Sequence, residues 1–306
     1  MIRNFYIEII SVLLALLAAS VCFSASGGSE KPVIFVSIAP QAYFVERIGG
    51  DHVTVEVLVE PGHSPATYEP SPRQMAMLGE AQICFRIGLP FEDRLLTKIE
   101  ASSTSLRIID MREGIELVSK GRGKAHDAQV SSGEGHHHGD SDPHIWLDPM
   151  LVKIMAQNIA EELSRLDTLH KEEFIRNLNL FSADLDSLDA RLAEKLAPLK
   201  GSRFYVFHPA YGYFGQAYGL TQVPIEVNGK EPTASGLATL VEQARADSIR
   251  TIFVQPQFSK KSAQVIADEI NGIVVPMDPL AYDYLKGLED MAEKLTMAFS
   301  LDEDGP

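Results

Sequence analysis

The sequence predicts an α/β protein with two lobes, each built around a mostly parallel sheet. Short strand-like runs rich in Val, Ile and Phe alternate with helical patterns between residues 33 and 109, and the same alternation returns between residues 204 and 275. A long helical region lies between these two stretches. The length agrees with this division, because 306 residues at about 150 residues per domain correspond to two domains.

The first lobe is predicted to contain four strands separated by helices. The strand patterns occupy residues 33–38, 53–59, 83–87 and 106–109. The helical patterns occupy residues 42–48, 72–80 and 91–100. Because helices that alternate with strands connect parallel neighbours, these elements predict βα repeats around one sheet.

The second lobe repeats this arrangement. Its strand patterns occupy residues 204–207, 222–227, 251–254 and 273–275. Its helical patterns occupy residues 211–218, 236–246 and 261–270. The same reasoning predicts a second mostly parallel sheet.

The region between the lobes is predicted to be helical. Asp148 is a favourable N-cap and Pro149 a favourable first helical residue, so a helix should begin at Pro149. After a break at residues 167–168, apolar side chains recur at near-heptad spacing, and a helix over 171–197 would be about 40 Å long. Such a stripe packs either onto its own chain or against a second copy as a coiled coil, and we expect the first.

The N-terminal residues 1–26 have the pattern of an export signal. Arg3 precedes an apolar run of about 13 residues, which ends before the small residues Ser24-Ala25-Ser26. This run is shorter than the ~20 residues that span a bilayer, although a simple membrane anchor is the alternative. A periplasmic location is therefore expected, with lipid anchoring through Cys22 as a secondary possibility.

Another segment lacks apolar periodicity. Residues 121–142 are rich in Gly and Ser and carry His126, His136, His137 and His138. This composition predicts a surface loop. Its imidazoles either bind Zn²⁺ weakly or belong to a solvated insertion, and composition alone does not decide between them.

These patterns divide the chain into four parts. They are a signal peptide (1–26), a first lobe that includes the His-rich loop (27–148), linking helices (149–199) and a second lobe (200–306). Each lobe has the size of an ordinary α/β domain.

Charge and cysteine content limit the function classes. The net charge is −15, which disfavours binding to a phosphate backbone, so no nucleic-acid partner is expected. If Cys22 leaves with the signal, Cys84 is the one remaining cysteine and no internal disulfide is expected. Cys84 lies in an apolar strand-like run and is interpreted as a buried hydrophobic residue.

Four residues are candidate metal ligands. His144 lies shortly before the helix that begins at Pro149, and His208 directly follows the strand predicted at 204–207. Asp278 also follows a strand, and His63 lies in a turn-rich segment just after another. Open α/β sheets bind ligands at the carboxyl ends of their strands, and three imidazoles with one carboxylate suit Zn²⁺. Each residue also has an ordinary structural explanation, so convergence on a cleft between the lobes is an expectation.

Five motifs spread over most of the chain are typical of one family. They are PGHSPATYEPSP (61–72), DPHIWLDP (142–149), FHPAYGYFGQAYGL (207–220), QPQFS (255–259) and MDPL (277–280). With these motifs the chain resembles the metal-binding solute-binding proteins of ABC transporters, in the zinc-uptake branch of the zinc/manganese (cluster A-I) family. The resemblance implies two α/β lobes joined by one long rigid helix, with a single metal ion bound between the lobes.

The resemblance also implies site residues. His144 and His208 occupy ligand positions of the family, and Asp278 occupies the position of a carboxylate that some members use. Manganese-binding members tend to carry Glu at the position of His208, so a histidine there favours zinc.

One position departs from the family pattern. The usual first motif has its ligand histidine where this chain has Ala66. His63 lies three residues earlier and is expected to replace that ligand from the same loop, because a turn can redirect a side chain over this distance. Glu69 or water is the alternative.

The sequence therefore favours a binding protein over an enzyme. The leading hypothesis is capture of Zn²⁺ and its delivery to the permease and ATPase of an ABC importer, without a tight homo-oligomer. A manganese-binding member of the family, a zinc metallohydrolase and a zinc-buffering surface adhesin are the alternatives. The chain contains no HExxH run, and four protein donors would close the coordination shell, which disfavours hydrolysis.

Overall fold

The computed structural model describes residues 31–100, 106–118, 141–226 and 230–303. Three predicted features lie outside these residues. They are the signal peptide with Cys22, the four histidines of the His-rich loop, and the last residue of the strand predicted at 222–227.

The first sheet contains four parallel strands in the order β2-β1-β3-β4. The strands are β1 (Val33–Val36), β2 (Thr54–Val57), β3 (Ile83–Arg86) and β4 (Arg107–Asp110). The accompanying helices are α1 (Ala39–Gly49), α2 (Pro72–Glu80) and α3 (Glu92–Glu100). Ser71 caps α2. Its hydroxyl accepts a hydrogen bond from the backbone N–H of Gln74, and the side-chain oxygen of Gln74 accepts one from the backbone N–H of Ser71.

The second sheet repeats the topology with the order β6-β5-β7-β8. The strands are β5 (Arg203–Val206), β6 (Thr221–Pro224), β7 (Thr251–Val254) and β8 (Ile273–Pro276). The helices are α6 (Gly212–Tyr218), α7 (Ala234–Ala246) and α8 (Lys261–Glu269). In both sheets the second strand lies on one side of the first strand and the third strand lies on its other side. The order in which the strands are added therefore reverses beside β1 and β5, and a crevice opens at the carboxyl ends of these strands.

Two helices connect the sheets, α4 (Pro149–Leu166) and α5 (Lys171–Leu196). Helix α4 begins as predicted, because the Asp148 carboxylate accepts a hydrogen bond from the Met150 amide and Pro149 is the first helical residue. Six apolar side chains of the 26-residue α5 are buried against α4, α1 and the C-terminal helix: Phe174, Phe181, Leu185, Leu188, Leu192 and Leu196. The predicted packing of this stripe onto its own chain is confirmed.

The C-terminal helix α9 (Tyr284–Glu303) was not among the predicted elements. Its buried residues Leu288, Met291 and Leu295 follow helical spacing, and the helix packs on α5. Among the described helices none is long and apolar enough to cross a membrane.

The α/β fold class with two parallel sheets is confirmed, and most element boundaries agree within two or three residues. The strand predicted at 222–227 is shorter than expected, because β6 ends at Pro224. The amides of Ile225 and Glu226 still donate hydrogen bonds to the carbonyls of Val206 and Phe207, at 2.8 and 3.0 Å, so the chain continues beside β5 beyond the regular strand. The four-part division of the chain at residues 26, 148 and 199 stays a prediction.

Candidate metal centre

A cleft lies between the carboxyl ends of the two sheets. One wall contains Ser64, Pro65 and Ala66 from the loop after β2, together with Leu89 and Pro90. The opposite wall contains residues of the second lobe, including His208, Gln257 and Phe258, and the segment before α4 contributes His144 and Trp146. Both predicted histidine motifs therefore reach the same cleft.

His144 is held by a neighbouring carboxylate. Its Nδ1 lies 2.6 Å from Asp142 Oδ1, which also accepts a hydrogen bond from the His144 amide at 3.0 Å. A carboxylate only accepts, so a neutral imidazole donates from Nδ1 and keeps its lone pair on Nε2. The other oxygen of Asp142 comes so close to Gly212 that a Cβ there would lie 2.6 Å from Oδ2. Glycine at this position lets the second lobe approach the carboxylate.

His208 is held in the same way from the second lobe. Its Nδ1 lies 2.7 Å from Glu226 Oε1, and the side chain of Glu226 is buried. The buried side chain of Gln255 accepts a hydrogen bond from the His208 amide at 3.2 Å and donates one to the His208 carbonyl at 2.7 Å. The ring of Phe258 stacks on the imidazole, with ring centres 5.1 Å apart. These contacts leave Nε2 of His208 free of the carboxylate.

The two imidazoles lie close enough to share one ion. Their ring centres are 5.3 Å apart. Two imidazoles bound to zinc through Zn–N bonds of about 2.0–2.1 Å at a tetrahedral angle have ring centres roughly 5 Å apart. A metal-binding histidine ordinarily donates its other ring N–H to a carboxylate or carbonyl, as both residues do here. This pair fits a zinc site.

Asp278 lies beside residues that line the cleft, and its carboxylate accepts hydrogen bonds from its own lobe. It follows β8 by two residues, as predicted, and its side chain is partly buried. Its Oδ1 accepts hydrogen bonds from Gln257 Nε2 at 3.1 Å and from the Leu280 amide at 3.0 Å. Asp278 does not line the cleft, although Pro279 and Leu280 beside it do.

His63 is exposed on the surface of the loop after β2. The cleft wall is formed instead by the next three residues, so that Ala66 faces the cleft. In the part of the chain that the structure describes, no three His, Cys, Asp or Glu side chains are close enough together to hold a metal ion. The structure thus brings His144 and His208 together, while ligation by His63 and Asp278 stays a prediction.

The two carboxylates that hold these histidines were not among the residues predicted from the sequence. Asp142 lies in the DPHIWLDP motif, two residues before His144, which is a local signal. Glu226 follows β6, and β6 pairs with the strand that ends before His208. Only the strand order brings Glu226 and His208 together, and local sequence patterns do not encode that order.

A buried carboxylate also shapes the wall of the cleft that belongs to the first lobe. Glu92 accepts hydrogen bonds from the hydroxyl of Ser37 at 2.5 Å and from the amides of residues 87–89 at 2.7–3.2 Å. Burial raises the pKa of Glu92, while these donors act in the opposite direction. Because Leu89 and Pro90 line the cleft, Glu92 fixes the loop that forms this wall.

Comparison with known proteins identifies relatives along nearly the whole described chain. The family model described as zinc-uptake complex component A, periplasmic (ZnuA), matches residues 34–298. The zinc-binding lipoprotein AdcA of Streptococcus pneumoniae R6 is 28% identical over 294 residues, which cover 94% of this chain. The chain spans 57% of the length of AdcA.

Solved structures show the same relationship. A crystal structure of ZnuA is 40% identical with a TM-score of 0.80, covering 88% of this chain and 99% of that one. A deletion mutant of ZnuA with zinc bound is 41% identical with a TM-score of 0.78, covering 88% of this chain and 98% of that one.

Proposed function

The chain belongs to the ZnuA family of periplasmic zinc-uptake components, and from this premise we propose that it captures Zn²⁺ outside the cytoplasm and delivers it to an ABC importer. Members of this family are binding proteins for metal uptake. Zinc is therefore the cargo of the cleft and is released after capture.

The observation that carries this proposal is the pair formed by His144 and His208. One imidazole comes from the segment before α4 and the other from the second lobe; their ring centres lie 5.3 Å apart, and each is oriented by its own carboxylate. Neutral imidazole is a good ligand for Zn²⁺, and the buried carboxylates increase its basicity. A cleft whose two walls come from different lobes suits capture and release, because a change in their separation would remove a ligand that the loop after β2 supplies.

We propose that Asp278 and His63 complete the coordination shell. Asp278 would exchange the hydrogen bond from Gln257, a residue that lines the cleft, for the metal ion. His63 would turn inward from a loop whose Ser64, Pro65 and Ala66 already line the cleft. Three nitrogen donors and one carboxylate oxygen satisfy the tetrahedral preference of zinc.

The same reasoning gives the partners and the cellular location. We propose that a permease and its ATPase receive the zinc, that residues 1–26 direct export to the periplasm and are removed, and that no catalytic step takes place in the cleft. A chain with four protein donors around zinc has no open position for an activated water.

The test is elemental analysis of the untagged protein purified from its native envelope, followed by zinc titration of variants. We expect about one equivalent of zinc, and we expect His144→Ala and His208→Ala each to weaken binding by more than about tenfold. His170→Ala is the matched control, because the Nδ1 of His170 also lies against a carboxylate, that of Asp167. Manganese in place of zinc, or equal loss in all three variants, would contradict the proposal.

A further inference from the structure

The backbone on both sides of Asp278 is held by two buried aromatic side chains. Tyr211 Oη donates a hydrogen bond to the carbonyl of Met277 at 2.7 Å. Trp146 Nε1 donates one to the carbonyl of Pro279 at 2.8 Å. Asp278 is the single residue between these two carbonyls.

Both donors belong to the motifs that carry the histidines of the cleft. Trp146 follows His144 by two residues in the short helix Ile145–Leu147, and the two ring centres are 5.1 Å apart. Tyr211 follows His208 by three residues and precedes α6. Two hydrogen bonds therefore connect Asp278 to the segments that carry both histidines.

These hydrogen bonds hold the chain where the sheet ladder ends, since the last backbone hydrogen bond to β7 runs from the Met277 amide to the Val254 carbonyl at 3.0 Å. Asp278 lies beyond the end of β8, where regular pairing has stopped. Tyr211 and Trp146 are each 1% exposed, and a buried hydroxyl or indole N–H without an acceptor is costly, so both groups have a strong preference for these carbonyls. Burial raises the pKa of Tyr211 well above its usual value, and its hydroxyl remains a donor.

We propose that Tyr211 and Trp146 are positioning residues for zinc capture, which set the place of the Asp278 carboxylate relative to His144 and His208. This inference rests on the proposed function, in which Asp278 is a ligand. Tyr211 acts through the backbone of the segment that carries Asp278 and does not touch the ion.

Tyr211→Phe tests this role, because it removes one hydroxyl and keeps the ring. The matched control is Tyr205→Phe, since Tyr205 is also buried and its hydroxyl donates at 2.7 Å to Asp247, the C-cap residue of α7. Both variants lose one hydrogen bond of a buried tyrosine. We expect Tyr211→Phe to weaken zinc binding about tenfold, and Tyr205→Phe to change it less than about twofold.

A double-mutant cycle separates positioning from a general effect on the fold. In a chain that carries Asp278→Ala, Tyr211→Phe should weaken zinc binding no further, because the group that the hydroxyl positions is absent. Zinc affinity is measured by competition with a chromogenic chelator. If Tyr211→Phe does not fold, the same cycle is measured with Trp146→Phe in its place. Trp146→Phe should then weaken zinc binding in the wild-type chain and have no further effect in a chain that carries Asp278→Ala.

The possible results distinguish this inference from the proposed function. A wild-type chain that binds no zinc would overturn the proposed function. If the wild type binds zinc while Tyr211→Phe and Trp146→Phe bind it equally well, the positioning role is wrong and zinc capture stands. If Tyr211→Phe weakens binding equally with and without Asp278, the hydroxyl does not act through Asp278 and the inference is wrong as well.

Discussion

Glu226 Oε1 lies 2.7 Å from Nδ1 of His208, so the carboxylate engages this nitrogen and leaves Nε2 for a ligand. The carboxylate comes from the end of one strand and the imidazole from the end of its neighbour, so the pair depends on the parallel register of β5 and β6. Removal of the Glu226 carboxylate tests how far the orientation of the His208 imidazole controls zinc affinity.

Glu226→Gln should weaken zinc binding by about tenfold or more. An amide offers a donor as well as an acceptor, and when its N–H₂ group faces Nδ1 the imidazole carries its proton on Nε2. Titration against a chelator measures the effect. Glu162→Gln is the control, because Glu162 is a buried glutamate of α4 that pairs with Arg107 of β4 and with Arg165 of its own helix. Equal losses in both variants would mean that the effect comes from the fold.

His63→Ala should weaken zinc binding by well over tenfold, or more than about 1.4 kcal/mol, if His63 replaces the ligand missing at Ala66. His63→Ala combined with Ala66→His should restore much of the affinity, since Ala66 already faces the cleft. Wild-type affinity in the single variant would show that His63 is a turn residue. A double variant that stays weak would show that position 66 does not reach the ion.

Zinc binding should release protons and weaken as the pH falls below about 6. Histidine must be neutral to coordinate, and its ordinary pKa near 6.5 makes the protonated form compete with zinc in acid. Zinc affinity therefore falls as the pH falls, because protonated imidazole has no lone pair left to coordinate the ion. Calorimetry in buffers of different ionisation enthalpy measures the released protons, and no release near pH 6 would assign the site to carboxylates.

Removal of residues 121–140 should leave the tight zinc site intact and remove only weaker extra equivalents. The deletion must stop before Asp142, because this carboxylate holds His144. The Asp142 amide donates to the Val118 carbonyl at 2.8 Å, so a short linker can join the two ends. Loss of the tight site in a titration of this variant would make the loop histidines primary ligands.

Cys84 should be unreactive in the folded protein. It is buried in β3, and burial raises the pKa of its thiol to about 12, so almost no thiolate exists at pH 8. Mass spectrometry after brief treatment with iodoacetamide should find Cys84 unmodified in the native protein and modified after denaturation. Rapid modification under native conditions would mean that the strand opens readily.

Several features of this protein follow from the sequence alone. Alternating strand and helix patterns determine the α/β class, since periods of 2 and 3.6 residues are local properties. The start of α4 at Pro149 and the placement of His208 at a strand end follow from neighbouring residues. Because parallel strands end at the same edge of a sheet, these positions supported the expectation of a ligand site at that edge, while spacing alone did not establish that residues of the two sheets converge.

Other features depend on contacts between distant parts of the chain. The pairing of Glu226 with His208 requires the order β6-β5-β7-β8, and the hydrogen bond from Trp146 to Pro279 joins residues 133 positions apart. Periodicity does not specify which strands pair or which way a loop turns, and so it did not predict that Ala66 faces the cleft while His63 is exposed. These relationships are decided by packing, because burial of the two sheets and the linking helices fixes which polar groups must find partners.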